Sequence, residues 1–266
     1  MSTSGPSRSA MLVAACRALA EECETSERLI SDPFARSFVD DRAMEAARLD
    51  PPLQRVLRLR TRYIDDRVTA FCVAHPNAEV LLLGAGLDAR PFRLDVDARF
   101  IEMDIPASVD GKQRILDSLG IAARDRRAVG VDLTVDRVPP ALSALGFDSS
   151  SPAFVVWEGV VFYLNETDAV GVINDLASVL APGSELVFDY SDRPKRGGFE
   201  NTEKIAESLS KGGEPLRNGL SDALGTLDAA GFDVLDDGAV EELGPRYGLA
   251  PFPRVYPARI LHARRR

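Results

Sequence analysis

A glycine-rich turn followed by a carboxylate carries the most specific chemistry in the sequence. The run VLLLGAGLDARPFRL places Gly84, Gly86 and Ala89 in a G-x-G-x-x-[GA] pattern directly after a buried-type strand. Glycines at this spacing allow a tight turn and let the backbone approach a ligand closely. Asp104 ends the next predicted strand, RFIEMD, 20 residues after Gly84, where a carboxylate can accept hydrogen bonds from ribose hydroxyls. Together these features predict a pocket for a nucleotide-like ligand.

Acidic residues also close the next two predicted strands. Asp132, with Leu133 beside it, ends RAVGVD, and Glu158 ends AFVVWEG. Ligands of open α/β sheets bind outside the carboxyl ends of the strands. We therefore expect these side chains to converge on the crevice that contains Gly84 and Asp104.

The type of nucleotide-like ligand follows from motifs that the sequence lacks. No G-x-x-x-x-G-K-[ST] phosphate loop occurs, and the nearest approach to a Tyr-x-x-x-Lys pair, from Tyr190 to Lys195, is one residue too long. The two histidines, His75 and His262, lie outside the glycine and carboxylate motifs, which gives little support to histidine acid/base chemistry. S-adenosylmethionine, which has a ribose, an adenine and an amino-acid tail but no pyrophosphate, fits best.

Composition excludes several other classes of protein. The 266 residues carry a net charge of −9, and the basic residues cluster only at positions 264–266, so neither nucleic acid nor an anionic membrane is an expected partner. We find neither a transmembrane run nor a signal peptide, which predicts a cytoplasmic protein. The three cysteines, Cys16, Cys23 and Cys72, have no metal-binding or disulfide spacing. We expect them to be small buried side chains, and we expect no metal site.

The order of elements predicts an α/β protein. From about residue 79, short apolar runs alternate with helical stretches, which gives seven strands in a mostly parallel sheet. Helices are expected over Asp168–Leu180 and Ser221–Ala230. Residues 1–75 are predicted to be a helical cap, with helices beginning at Ser9 and Ser31, and the polar stretch 192–220 is expected to be either a solvated loop or a lid. We interpret 1–266 as one domain, in which residues 76–266 form the core.

Several motifs, in order and at matching spacing, resemble those of a known family. VLLLGAGLDARPFRL, EMDIPASVDGKQRIL, GVDLTVD and WEGVVFYLNETDAVGVINDLASVLAPGSELVFDYS are similar to the bacterial branch of the leucine carboxyl methyltransferases, which depend on S-adenosylmethionine. RLISDPFARSFVD and RTRYIDD resemble the N-terminal signature of the same family. The resemblance implies a class I methyltransferase fold, Rossmann-like, with seven strands of which the last is antiparallel.

The resemblance also implies roles for individual residues. Gly84 and Gly86 would shape the cofactor pocket, Asp104 would bind the ribose, Asp132 and Leu133 would meet the adenine, and Glu158 would lie beside the methionine moiety. Arg62 would reach the cofactor or substrate carboxylate, with Arg60 as the alternative if the register shifts by two residues. Tyr163 would face the substrate, so that Arg62 and Tyr163 become the expected catalytic pair.

These implied roles predict an S-adenosylmethionine-dependent O-methyltransferase. Methyl transfer is an in-line displacement, so much of the catalysis can come from positioning the acceptor oxygen. A carboxylate acceptor needs no base, whereas an alcohol does, and no His or Lys accompanies the motifs. We therefore expect transfer to a carboxylate or hydroxyl oxygen of a small molecule, such as a polyketide-like metabolite, with a carboxylate or acidic phenol favoured over an alcohol. The alternatives are a methyltransferase of protein C-terminal carboxylates and a catalytically silent cofactor-binding module.

Overall fold

Seven strands among the described residues form one mixed sheet. The computed structural model describes residues 6–23, 28–122, 125–191, 207, 210–211, 213–217, 219–254 and 256–266. The strands are β1 (Ala78–Leu83), β2 (Ala98–Asp104), β3 (Arg126–Gly130), β4 (Phe154–Trp157), β5 (Glu185–Ser191), β6 (Phe232–Ala239) and β7 (Ala258–Arg265). Their order is β3-β2-β1-β4-β5-β7-β6, with β1 to β5 parallel and β7 antiparallel to both of its neighbours. The predicted class I methyltransferase fold is confirmed.

The helices begin where side chains cap them. The α-helices are α1 (Arg8–Ala18), α2 (Asp41–Arg48), α3 (Pro51–Ala74), α4 (Arg90–Arg93), α5 (Pro106–Leu119), α6 (Val138–Ala144), α7 (Glu166–Val179) and α8 (Ala223–Ala229). Asp50 caps α3 by accepting a hydrogen bond from the Leu53 amide, and two prolines occupy its first turn. Asn165 caps α7 in the same way, so that this helix starts two residues before the predicted position.

The two predicted helix starts in the N-terminal segment have different outcomes. The start near Ser9 is confirmed to within two residues, because Ser7 is the cap of α1 and accepts from the Ala10 amide. The start at Ser31 is wrong. Only a short 3₁₀ turn, Ala35–Phe38, follows it, and the Asp32 carboxylate accepts from the Ala35 amide instead of capping an α-helix.

Three apolar clusters hold the sheet and the N-terminal helices together. One face of β1, β2, β4 and β5 packs on α6, α7 and α8, and the other face packs on α3 and the 3₁₀ segment Val240–Tyr247. A third cluster joins α1 and α2 to Leu87 and Ala89, which directly follow β1. The N-terminal helices are therefore fixed next to the carboxyl ends of the strands.

The segment expected to be either a solvated loop or a lid, 192–220, lies mostly outside the described residues. The structure describes 213–217 and 219–220 at its C-terminal end, where the amides of Arg217 and Gly219 donate to the carbonyls of Phe162 and Leu164. Among the helices that are described, we find none with the length and apolar character needed to cross a membrane.

Candidate active site

A cavity of about 550 Å³ lies at the carboxyl ends of the strands. Its walls come from the turn after β1, the ends of β2, β4 and β5, helices α1 and α3, residues 213–217 and the segment just before β7. This is the edge of an open α/β sheet at which ligands bind. Of the residues predicted from the sequence, those that line it are Gly84, Gly86, Asp104, Glu158 and Tyr163.

The glycine turn forms one wall in a conformation that disfavours side chains. Gly84 and Gly86 have φ angles of 65° and 44°. A Cβ atom at Gly84 would lie 2.2 Å from Cγ2 of Val160, and one at Gly86 would lie 3.2 Å from Cβ of Ala10. The amide of Gly84 donates to the Met103 carbonyl at 2.7 Å, which ties the turn to β2. Gly84 is thus required by space as well as by φ, and Gly86 is favoured by φ.

Asp104 connects the end of β2 to this turn. Its Oδ2 accepts from the Gly86 amide at 2.6 Å, and its Oδ1 accepts from the Ile105 amide at 2.7 Å. Burial raises the pKa of the Asp104 carboxyl, although these two amides act in the opposite direction. The carboxylate is therefore held in one orientation at the cavity wall.

Asp132 and Leu133 lie beside the cavity and not in its wall. Oδ1 of Asp132 accepts from the amide and the hydroxyl of Thr134, and Leu133 packs against the core under α6 and α7. Thr134 is the residue of this loop that lines the cavity. The predicted contact of Asp132 and Leu133 with adenine stays a prediction.

Glu158 is held from two sides by arginines. Its Oε1 accepts from Nε of Arg60 at 2.9 Å, and its Oε2 accepts from Nη1 of Arg90 at 2.6 Å. Burial alone would raise the pKa of Glu158, but the charges of Arg90 and Arg60 lower it from its ordinary value. Glu158 is thus an ionised carboxylate in the cavity wall.

Arg60 continues this chain of charges to β5. Its Nη1 donates to Oδ2 of Asp189 at 2.5 Å, and the other oxygen of Asp189 accepts from the Gly159 amide. The ion pairs of Arg60 use its Nε and Nη1 atoms and not Nη2. Gly159 lies beside Nη2, since a Cβ atom on Gly159 would be 3.6 Å from it, and as a glycine it has no side chain to cover this donor. Arg60 is buried, lines the cavity and retains a donor for an anionic group of a ligand.

The structure places Arg62 away from the cavity, which corrects the predicted register. Nε of Arg62 donates to Asp66 on the outer surface of α3, and its Nη1 donates to the Leu29 carbonyl. Two residues along a helix correspond to a rotation of roughly 200°, so Arg60 and Arg62 point to nearly opposite sides. The alternative register, with Arg60 in the cavity, is the one that fits.

Tyr163 lies in the short 3₁₀ helix Val161–Tyr163 after β4 and lines the cavity. Burial raises the pKa of its phenol, and a hydrogen bond with Ser9 of α1 acts in the opposite direction. The phenol is therefore protonated at neutral pH, so it can donate a hydrogen bond but cannot serve as a base.

Several cavity residues escaped the sequence analysis. Glu214 accepts from the amides of Arg8 and Ser9 at the start of α1, and the phenol of Tyr256 donates to Asp50 at the start of α3. Asp189 is buried at the end of β5. The signal for Asp189 was its place at the end of a strand, as for Asp104 and Glu158. Glu214 and Tyr256 had no local signal.

Within the described residues, no group of three or more His, Cys, Asp or Glu side chains is arranged to hold a metal ion. Cys16 and Cys72 are buried and Cys23 is partly exposed, and all three are free thiols. The charged side chains that line the cavity are carboxylates and guanidinium groups, and the phenols of Tyr163 and Tyr256 lie among them.

Solved structures share this fold over nearly the whole chain. A DUF574-family protein from Streptomyces avermitilis superimposes with a TM-score of 0.65 at 15% identity, covering 98% of each chain. A candidate methyltransferase from Thermobifida fusca gives a TM-score of 0.63 at 18% identity, covering 99% of this chain and 96% of that one. At these identities the likeness shows the fold alone.

Sequence relatives show the family. The chain is 36% identical over 202 residues to a protein of Streptomyces coelicolor, and 34% identical over 202 residues to one of a Parafrankia strain. Both are named as candidate S-adenosyl-L-methionine-dependent methyltransferases. Each match covers 70% of this chain but 66% and 64% of the relatives, so the chain spans just under two thirds of their length. The model of the leucine carboxyl methyltransferases matches residues 10–177, and the chain belongs to that family.

Proposed function

We propose that this chain is an S-adenosylmethionine-dependent methyltransferase that methylates an oxygen of a small molecule, with a carboxylate as the preferred acceptor. The observation that carries the proposal is the meeting of Gly84, Gly86, Asp104 and Glu158 in one cavity of about 550 Å³. That volume is typical of a small-molecule site. The names of the relatives point to the same cofactor.

The residues present fit S-adenosylmethionine. Gly84 and Gly86 have positive φ angles and no side chains, so a ligand can approach the backbone closely at these two positions. Asp104 offers a fixed carboxylate to the ribose hydroxyls, and Glu158 offers an ionised one to the ammonium of the methionine moiety. When bound, S-adenosylmethionine supplies an electrophilic methyl group on a sulfonium cation.

Arg60 and Tyr163 fit the task of orienting an acceptor that is already anionic. Arg60 has Nη2 available beside Gly159, and Tyr163 carries a protonated phenol. A guanidinium and a phenol both donate hydrogen bonds to a carboxylate. Among the described residues that line the cavity there is no His or Lys, the usual general bases. An acceptor that needs no deprotonation therefore suits these walls better than an alcohol does.

The walls around this donor pair favour an acceptor with an apolar body. Val56 of α3, Val240 directly after β6 and Pro257 directly before β7 line the cavity. Apolar side chains exclude water from the space in which the acceptor oxygen has to be placed. An apolar carboxylic acid, such as a polyketide-like metabolite, matches both the donors and the walls.

A protein C-terminal carboxylate is the second candidate, and the description of the matching family favours it. Helix α1 and residues 213–217 count against it, because both line the cavity and Glu214 joins them by accepting from the amides of Arg8 and Ser9. A protein tail would have to enter between these two segments, whereas a small molecule needs less room.

Calorimetry followed by a transfer assay tests the proposal. We expect S-adenosylmethionine to bind and mass spectrometry to detect methyl esters from a panel of aliphatic and aromatic carboxylic acids. The same panel should contain phenols, alcohols and a peptide that ends in leucine. Methylation of the peptide alone would support the second candidate. Binding without transfer to any member would favour a silent cofactor-binding module, and the absence of binding would refute all of these functions.

A further inference from the structure

Arg90 is fully buried at the centre of three carboxylates. It lies directly after the glycine-rich turn, at the start of α4. Its Nε donates to Asp65 of α3 at 2.7 Å, and its Nη1 donates to Asp88 at 2.5 Å and to Glu158 at 2.6 Å. An arginine enclosed to this extent is stable only with such partners, because an unpaired buried charge is very unfavourable.

Arg90 touches Glu158 on the side opposite to Arg60. Arg60 donates to Oε1 and Arg90 to Oε2, so each carboxylate oxygen has its own guanidinium partner from a different helix. Arg60 lines the cavity, while Arg90 lies behind Glu158 and is not part of the cavity wall. Arg90 therefore has no route to a ligand other than through Glu158 or Asp88.

We propose that Arg90 is a positioning residue, which holds the Glu158 carboxylate against the cavity and thereby sets the affinity for ligands that carry an amino-acid tail. The proposal rests on the proposed function, in which Glu158 meets the ammonium of that tail. Asp65 anchors Arg90 from the rear, and α3 thus supports Glu158 through Asp65 and Arg90 as well as through Arg60.

Arg93 provides a matched control within the same cluster. It is buried one turn further along α4, and its Nη1 and Nη2 donate to the same Asp65, but it does not contact Glu158. Loss of packing or charge in the cluster would affect Arg90 and Arg93 variants alike. Displacement of the Glu158 carboxylate should occur only in the Arg90 variant, because Arg90 contacts Glu158 and Arg93 does not.

The experiment compares Arg90→Lys with Arg93→Lys, using two ligands in calorimetry on the full chain. S-adenosylhomocysteine carries the amino-acid tail, and methylthioadenosine has the adenosine and the sulfur without it. A lysine cannot reproduce the forked contacts of a guanidinium. We expect Arg90→Lys to weaken S-adenosylhomocysteine roughly tenfold or more, as for loss of hydrogen bonds to a charged group, and to leave methylthioadenosine unchanged. Arg93→Lys should leave both affinities unchanged.

Two further variants keep the test decisive. In a Glu158→Gln background, Arg90→Lys should have little additional effect on S-adenosylhomocysteine, since the two residues act as a unit. If Arg90→Lys does not fold, as judged by thermal unfolding, Asp65→Asn loosens Arg90 while keeping its guanidinium. Asp65→Asn should weaken the binding of S-adenosylhomocysteine by about threefold, which corresponds to the loss of a modest hydrogen bond, and should leave the binding of methylthioadenosine unchanged.

The outcomes separate this inference from the proposed function. Equal weakening of both ligands would overturn the positioning role and show a general structural one, as would equal effects of the Arg90 and Arg93 variants. An unchanged affinity for S-adenosylhomocysteine in Arg90→Lys would also overturn it. If the wild-type chain bound neither ligand, the proposed function itself would fail.

Discussion

The two halves of the cavity are built in different ways. The half proposed to bind the cofactor, called the cofactor half, consists of the glycine turn at 84–86, Asp104 and Glu158, which follow β1, β2 and β4, three strands that are neighbours in the sheet. The half proposed to bind the acceptor, called the acceptor half, consists of Arg60, Tyr163, residues 213–217 and the segment at 256–258, to which α1 adds a further wall. Strand pairing brings the main chain of the first half together, and Arg60 and Arg90 then hold the Glu158 side chain there. Packing between distant segments assembles the second half.

The contacts that hold each half show the same difference. In the cofactor half, Asp104 accepts from Gly86, 18 residues away, and from the next residue, Ile105. In the acceptor half, Arg60 pairs with Asp189, 129 residues away, and Glu214 accepts from Arg8 across 206 residues. Changes in the cofactor half should therefore act on ligand binding directly, whereas changes in the acceptor half should act on turnover, or on stability where they loosen a tertiary contact.

The largest effect is expected from Asp104→Ala in the cofactor half. The substitution removes a carboxylate that two amides fix at the cavity wall. Hydrogen bonds to charged groups contribute about 1.5–3 kcal/mol, so the Kd for S-adenosylmethionine should rise roughly 10- to 150-fold in calorimetry. Asp132→Ala tests the predicted adenine contact in the same assay, and a smaller effect is expected because the Asp132 carboxylate accepts from Thr134 beside the cavity wall. Unchanged affinity in Asp104→Ala would show that the ribose is bound elsewhere.

The pH dependence of binding should reveal the same carboxylate. Because burial raises the pKa of Asp104, its ionised form is lost on acidification at a higher pH than for an exposed Asp. Affinity for S-adenosylmethionine should be full above that pKa and should fall by about tenfold per pH unit below it. The Asp104→Ala variant should lack this step. If both proteins showed the step, another group would be responsible.

A pair of arginine substitutions on α3 tests which face of that helix belongs to the acceptor half. Arg60→Lys replaces a buried guanidinium that bridges Glu158 and Asp189, so kcat/KM should fall by about tenfold or more. Arg62→Lys changes an exposed side chain paired with Asp66, and kcat/KM should stay within about twofold. Steady-state kinetics with the best acceptor from the panel measures both. The reverse order would restore the register predicted from the sequence.

The sequence predicted that the residues of the proposed cofactor half meet at one edge of the sheet, because the signals for them are local. A glycine pattern after a strand, and acids at the ends of successive strands, lie within a few residues of the geometry that they create. The predicted sheet and the placement of Gly84, Gly86, Asp104 and Glu158 in one cavity agree with the structure. Asp132 shows the limit of this reasoning. It follows β3 at the same edge of the sheet, and yet Thr134, two residues later, is the residue that lines the cavity.

The acceptor half was predicted less well because its residues depend on helix phase and on distant contacts. RTRYIDD contains two arginines, and only the packing of α3 on the sheet decides that Arg60 points inward. Nothing near Glu214 in the sequence indicates that it contacts the start of α1, which lies about 200 residues earlier. Ser31 fails for a related reason, because its hydroxyl donates to Glu21, ten residues earlier, and caps no helix.

A smaller effect is expected from Tyr163→Phe in the acceptor half. The phenol is held near Ser9 and is protonated, so its proposed role is one hydrogen bond to the acceptor oxygen. A neutral hydrogen bond contributes about 0.5–1.5 kcal/mol, and kcat should therefore fall by roughly 2- to 12-fold, with little change in the Kd of S-adenosylmethionine. Steady-state kinetics and calorimetry separate the two. A change confined to cofactor affinity would place Tyr163 in the cofactor half instead.

The smallest effect should come from Glu214→Gln, which tests how firmly the acceptor half is closed. Glu214 accepts from the first two amides of α1, where a negative charge also interacts favourably with the helix dipole. Glutamine keeps an acceptor oxygen but loses the charge, so the free energy of unfolding should fall by about 0.3–1 kcal/mol, and less at high salt. Thermal unfolding at two salt concentrations measures this. Glu207→Gln, at an exposed pair with Lys211, is the control and should have no comparable effect. Glu214→Gln loosens α1 at its N-terminal end, while Arg17 still holds the C-terminal end to Asp32 and Leu87. The substitution should therefore also raise the KM for the acceptor more than the Kd for the cofactor. An equal change in both constants would mean that α1 closes over the two halves together.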